Sequence, residues 1–190
     1  TSKEKSIANF VANNFGITLK GIRFGLHSAN FIHRTLGTSN MEAFTKTMRD
    51  LSKNKLAKWS VYMPKGTNIN LNFEQQVKDK KVVYFPSCIS RTMGLNDMSK
   101  EEKELFEVTI EVLQKAGYQI IFPQNLSNLC CGMPFSSKGF NDAAHTKSRQ
   151  LEEALLNASE FGEYPILCDT SPCTKKIMES FSHKLSIYEP

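Results

Sequence analysis

The residues of this 190-residue chain whose type and spacing could do chemistry are its five cysteines, Cys88, Cys130, Cys131, Cys168 and Cys173. Two are adjacent, within Leu129-Cys130-Cys131-Gly132-Met133-Pro134-Phe135. Neighbouring Cα atoms sit about 3.8 Å apart, short of the roughly 4.4–6.8 Å that an unstrained disulfide spans. The pair is therefore either two separate hydrophobic thiols or two ligands offered to one centre. Gly132 lets the backbone turn or approach closely just after the pair, and Pro134 fixes φ two residues later. A loop built this way presents sulfur.

The elements that must position these thiols are legible in the second half. Val82-Val83-Tyr84-Phe85, ending at Pro86, is a continuous apolar, β-rich run suited to a strand buried on both faces, and Cys88 follows it. Ser99-Lys100-Glu101-Glu102 has the pattern of a capping box, and Leu105, Val108, Val112, Leu113 and Ala116 form a helical stripe stopped by Gly117. Tyr118-Gln119-Ile120-Ile121-Phe122-Pro123 is the second strand, with Cys130 and Cys131 in the loop beyond it. Asn141 is expected to cap a helix whose Ala144, Leu151, Ala154, Leu155, Ala158 and Phe161 point inward and which Gly162 stops. Pro165-Ile166-Leu167 is a third strand ended by Cys168. Ser171 as N-cap, with Pro172 at the first helical position, places Cys173 in the first turn of a last helix. Leu185-Ser186-Ile187-Tyr188 reads as a fourth strand.

This alternation implies an α/β domain over residues 81–190, a parallel three-layer αβα arrangement of the Rossmann or flavodoxin-like class. Ligands of such sheets bind outside the carboxyl ends of the strands. Every cysteine lies at or after one of those ends, so the five thiols are expected to converge. Convergent thiols without a convergent histidine select a soft metal or an iron–sulfur centre. Cys173 at a helix N-terminus would have its thiolate stabilised by the helix dipole. Structural zinc is a rival, although zinc sites usually show close Cys pairs and these segments are far apart in sequence. Buried inert thiols are the remaining alternative. A disulfide framework is disfavoured by the odd count and by a chain too long for a disulfide-stapled miniprotein.

The first half is organised differently. Ile7, Phe10, Val11 and Phe15 fall at helical spacing before Gly16, which is expected to stop that helix. Residues 18–36 read as a second helix ended by Gly37, and Ser39-Asn40-Met41-Glu42 as a capping box opening a third through Phe44, Met48 and Leu51. Residues 54–80, with Trp59, Pro64, Gly66 and four asparagines, read as an extended connection. Residues 1–80 carry 13 Lys and Arg against 5 Asp and Glu, whereas residues 81–190 carry 11 against 14. Such a basic front is either a solvated face or a surface for an acidic partner or anionic membrane. Residues 18–36 could lie on a membrane, but Gly21, Gly25 and Gly37 would equally allow close helix packing. His27 and His33 lack ligand spacing and read as surface or packing residues. Ser136, Ser137 and His145 carry no acidic orienter by spacing, so no hydrolase triad is built from them, and no catalytic residue is assigned. The sequence has no apolar run of membrane-spanning length and no secretory start, and a cytoplasmic chain is expected. A start at Thr1-Ser2 without Met suggests a piece of a longer protein.

Tyr84-Phe85-Pro86-Ser87-Cys88, Leu129-Cys130-Cys131-Gly132-Met133-Pro134-Phe135-Ser136-Ser137-Lys138-Gly139 and Cys168-Asp169-Thr170-Ser171-Pro172-Cys173 resemble the cysteine-rich CCG domain of heterodisulfide reductase subunits, glycolate oxidase iron–sulfur subunits and anaerobic glycerol-3-phosphate dehydrogenase. They are most similar to the C-terminal part of large bacterial FAD-linked D-lactate dehydrogenases. The resemblance implies electron transfer through a four-iron iron–sulfur cluster bound by Cys88, Cys130, Cys131 and Cys173, with Gly132 in the cofactor loop. The family pattern ends in C-x-x-C, but here Thr170 stands three before Cys173 and the extra thiol, Cys168, stands five before it. Four or five sulfurs would therefore reach the centre. FAD and a ferredoxin-like segment are implied elsewhere in the same polypeptide, with a quinone or membrane-surface acceptor at the inner face of the membrane and no nucleic-acid partner. The alternative is a zinc-stabilised or metal-free docking module.

Overall fold

The computed structural model describes residues 2–54, 56, 58–67, 69, 71, 73 and 77–190. Its centre is a four-stranded sheet of β1 (Lys80–Phe85), β2 (Tyr118–Ile121), β3 (Ile166–Cys168) and β4 (Ile187–Tyr188) in the order β2-β1-β3-β4. Every pairing is parallel. The apolar run of β1 is buried from Val82 to Phe85 because the strand is central and covered on both faces, as a parallel sheet requires. The register pairs Phe85 with Cys168, so the two central strands end level with each other.

Alternation along β1 divides the core. Val82 and Tyr84, with Ile120, face Phe106 and Ile110 of α4 (Leu105–Lys115). Val83 and Phe85, with Ile166 and Ile187, face Leu151 and Leu155 of α6 (Asn141–Ala158) and Ile177 of α7 (Ser171–Ser180). The first crossover runs one way across the sheet and the next two run the other, so a uniform right-handed rule puts α4 on one face and α6 and α7 on the other. β1 and β3 thus flank the point where connections diverge, which is where such sheets open a crevice. The α/β class and the helical segment ahead of it are as the sequence implies. Between β2 and α6 lie a 3₁₀ turn (Leu126–Asn128) and the short α5 (Met133–Ser136), too brief for a periodic pattern to reveal.

Ahead of the sheet come α1 (Ser2–Asn13), α2 (Phe15–Leu36) and α3 (Thr38–Leu51). Gly16 does not stop α1. It lies in the first turn of α2, where its N–H donates to Asn128 Oδ1 at 2.9 Å and a Cβ would collide with that oxygen. Gly37 does end α2, at φ +79°. Gly21, Gly25 and Gly37 have open space where a Cβ would stand, so none mediates close helix packing. Gly66 does, pressing on Arg23 O and the His27 ring. His33 packs on Trp59 with ring centroids 4.3 Å apart.

Several helix ends are displaced from expectation. α3 begins after Gly37, not at Ser39. The capping box of α4 is Glu104 with Glu107, whose carboxylate accepts from the Glu104 N–H at 2.9 Å, and Ser99 lies outside the helix. Asn141 is the first residue of α6 rather than its cap. Glu160 and Phe161 turn to φ +50° and +61°, so the chain leaves α6 before Phe161, which is exposed. The asparagines at 68, 70 and 72 lie outside the described residues.

Candidate metal centre

Three loops at the carboxyl edge of the sheet bring all five cysteines together, and each loop is tied by a buried polar group. Asp169, just beyond β3, accepts from the Ser87 N–H at 2.8 Å and the Tyr84 hydroxyl at 2.9 Å. Thr170 donates to Ser87 Oγ at 2.8 Å. These bonds span the β1–β3 crevice and lock the Cys88 loop against Cys168. Burial, together with the charge of Asp169, pushes the Tyr84 phenol well above its ordinary range, so it stays a donor.

Arg91 makes the second tie. It is 5% exposed, and its Nε donates to Pro86 O at 3.0 Å and Ser87 O at 3.3 Å, while its terminal nitrogens donate to Leu126 O and Leu129 O. One guanidinium therefore fixes the carbonyls just before Cys88 and just before Cys130. The third tie is steric. Gly132 turns at φ +88° and a Cβ there would sit 2.6 Å from Ala144 O, so α6 presses the double-cysteine loop against the sheet edge. The Gly132 N–H points to Cys130 Sγ at 3.4 Å.

All five thiols are buried and free. They form a string, Cys88–Cys130–Cys131–Cys173–Cys168, in which each sulfur interacts with the next. Cys131 and Cys173 sulfurs lie 3.2 Å apart. Hydrogen bonding with Cys130 and then Cys173 outweighs burial and lowers the Cys131 thiol below its ordinary range, with the Met133 N–H helping. Cys130 and Cys173 are pushed up, first by their hydrogen bonding with Cys131. Cys88 and Cys168 at the ends are lowered by the thiols of Cys130 and Cys173 respectively. Cys173 occupies the first turn of α7 as expected, although the N-cap is Thr170 rather than Ser171.

Among the described residues no group of three or more His, Cys, Asp or Glu side chains has the spacing of a preformed metal site. The Cys131 and Cys173 sulfurs stand 3.2 Å apart, whereas four thiolates around one metal with arms of about 2.3 Å stand about 3.8 Å apart. The donor set nonetheless fits a soft metal or iron–sulfur group. It is all sulfur, drawn from three anchored loops, and a separation of well under 1 Å brings the Cys131–Cys173 pair to that spacing.

Two residues of the site are missed by a search for ligands. Arg91 stands three residues after Cys88. Lys147 is 1% exposed, and its only signal is that it falls on the inward stripe of α6 between Ala144 and Leu151. Its ammonium donates to Gln150 Oε1 at 2.6 Å and stands 5.2 Å from the centre of the Phe15 ring. Burial lowers its pKa, and the charge of Cys130 opposes that. Phe15, Leu19, Ala8 and Ala12 of the first two helices pack in one cluster with Cys88, Cys130 and Phe135, roofing that end of the string. An apolar cavity of about 460 Å³ lies beside this roof, with Cys88 in its wall.

The family model of the cysteine-rich CCG domain matches residues 82–177, from β1 through most of α7. The chain belongs to the CCG cysteine-rich domain family. Membership is consistent with an iron–sulfur or other metal-binding module of electron transfer. No curated protein and no solved structure matches the chain. No helix among the described residues is long and apolar enough to cross a membrane.

Proposed function

We propose that residues 81–190 of this CCG protein hold a four-iron iron–sulfur cluster and relay electrons within a FAD-linked, D-lactate dehydrogenase-like oxidoreductase. The observation that carries this reading is the string of five buried thiols, without a histidine or carboxylate among them, at the carboxyl edge of a parallel sheet. Cys88, Cys130, Cys131 and Cys173 are the ligands, and Cys168 stands at the end of the string as a fifth. Bound there, the cluster would supply one-electron storage between flavin and acceptor. Asp169 and Arg91 hold the loops at fixed separation, Gly132 aims the double cysteine, and α1 and α2 exclude water from the Cys88–Cys130 end. FAD and a ferredoxin-like segment belong to the remainder of the polypeptide, and a membrane quinone is the acceptor in this reading, with the protein docked peripherally at the inner face.

Anaerobic purification with iron, sulfide and zinc analysis and an absorption spectrum tests this. Iron and sulfide in about equal amounts, with a broad visible absorption, support it. Stoichiometric zinc without iron overturns it in favour of a zinc-stabilised docking module. A docking role for residues 1–80 is favoured separately by apolar side chains left open on the front helices, among them Phe24 at 74% exposure. Co-sedimentation of the parent protein with vesicles of rising anionic lipid content tests the membrane version, and binding indifferent to that content removes its electrostatic basis.

A further inference from the structure

We propose that Arg91 and Lys147 are this chain's own counter-charges to a thiolate-held centre, Arg91 positioning its loops and Lys147 setting how readily it accepts an electron. The inference rests on the iron–sulfur reading above. A buried charge is retained only where an opposite charge or a dense set of hydrogen bonds compensates it. Arg91 has four carbonyls as hydrogen-bond partners. Lys147 has one amide oxygen and one ring face. Neither has a carboxylate within ion-pair distance among the described residues. The buried acid within electrostatic reach of Arg91 is Asp169, already occupied by Ser87, Tyr84 and Thr170.

Of the two carboxylates buried among the described residues, Glu152 is taken up by Ser182 and His183 and Asp169 by the groups just named, so the groups left to supply negative charge to the two buried cations are the thiols. The placement agrees. Arg91 ties the backbone beside Cys88 and Cys130, and Lys147 sits over Phe15, which packs in the same cluster as those two cysteines. Thiolates around an iron–sulfur core give a net anion that becomes more negative on reduction. A fixed cation in a dry interior favours the reduced state and so raises the potential. Surface lysines do this weakly, because water screens them.

Arg91 holds four carbonyls in place, so its removal would confound charge with folding. Lys147 is the clean test. The full parent chain carrying Lys147→Met, with Lys147→Arg as the charge-retaining control, is loaded anaerobically. It is assayed for iron and sulfide, titrated by electron paramagnetic resonance against potential, and unfolded metal-free in denaturant. Lys147→Met is expected to load like the wild type, with its one-electron reduction equilibrium lowered about tenfold, a midpoint about 59 mV more negative. Lys147→Arg should stay within about threefold of wild type. Metal-free Lys147→Met should be at least as resistant to denaturant as metal-free wild type, since it loses a charge without a partner. A loaded Lys147→Met with an unchanged midpoint overturns the inference alone. So does a metal-free variant that unfolds at clearly lower denaturant, which would make Lys147 a structural residue. A wild-type chain that takes up no iron and sulfide removes the underlying reading and the inference with it.

Discussion

The two ends of α2 have the same kind of sequence and opposite surroundings. Phe15 and Leu19 are buried against the Cys88–Cys130 cluster, whereas Phe24, Phe31 and Leu36, farther along the same helix, are exposed. What separates them is a partner. The first turns are held by Asn128, which caps Gly16, and by an apolar cluster with α5 and α6, while the later turns meet α3, the Gly66 connection and, through the polar side chains of Asn30 and Arg34, Asp97. In the sheet half the corresponding large residues, such as Leu151 and Leu155, have no exposure at all. The helical front is therefore part structural and part presented surface, and the part that is structural is the part that covers the thiols.

Ligand changes should produce the largest effect. Cys131→Ser is expected to lower the iron content of the full-length protein to background, because Cys131 is the mid-string sulfur that two neighbours and a helix-start N–H converge upon. The near-isosteric hydroxyl should leave metal-free stability within about 1 kcal/mol. Cys168→Ser, at the end of the string, should retain most of the iron; equal loss in both variants would mean that five sulfurs are needed. Next is the packing contrast itself. Leu151→Ala should destabilise by about 2–5 kcal/mol, since it opens a void between α6 and the sheet. Phe31→Ser, on the exposed part of α2, should stay within about 0.5 kcal/mol. A large loss from Phe31→Ser in denaturant unfolding would show that the exposed face is covered in solution.

What could be read from the sequence follows the range of the interactions. Strand positions, the parallel sheet and the convergence of five thiols depend on local periodicity and on a general rule for sheet edges, and all are legible. Helix starts are less so, since Gly16 belongs inside α2 only because Asn128, 112 residues away, caps it. Ser99 and Ser39 carry local capping signals that the tertiary path of the chain overrides. Arg91 and Lys147 are invisible to a ligand search because their roles rest on burial and on missing counter-charges. Asn128→Ala should cost about 1 kcal/mol, the usual worth of a helix cap, and should loosen the roof over Cys130 enough to speed its alkylation in the metal-free protein.

The smallest effect concerns the seam between the exposed part of α2 and the sheet half. Asp97, in the loop after Cys88, pairs with Lys65 at 2.5 Å and with Arg34 at 3.3 Å, and accepts from Asn30 Nδ2 at 2.8 Å. Lys65 first, then Asn30 and Arg34, hold its carboxyl down to about 2, against some loss of hydration. The folded pKa lies below the ordinary 3.8, so the contribution to stability is complete above about pH 4 and disappears as pH falls through 2. Asp97 is 29% exposed on its side chain and Arg34 is 63% exposed, so water and salt screen the cluster, and its worth at pH 7 is about 0.5–1 kcal/mol. Asp97→Asn should therefore lower the unfolding free energy by that amount between pH 5 and 7, shrink toward no difference near pH 2, and lose most of its effect in 1 M salt. Paired denaturant titrations of wild type and variant across pH measure it. A difference that grows as the pH falls would mean that Asp97 is protonated in the folded protein and that the seam is held by Asn30 alone.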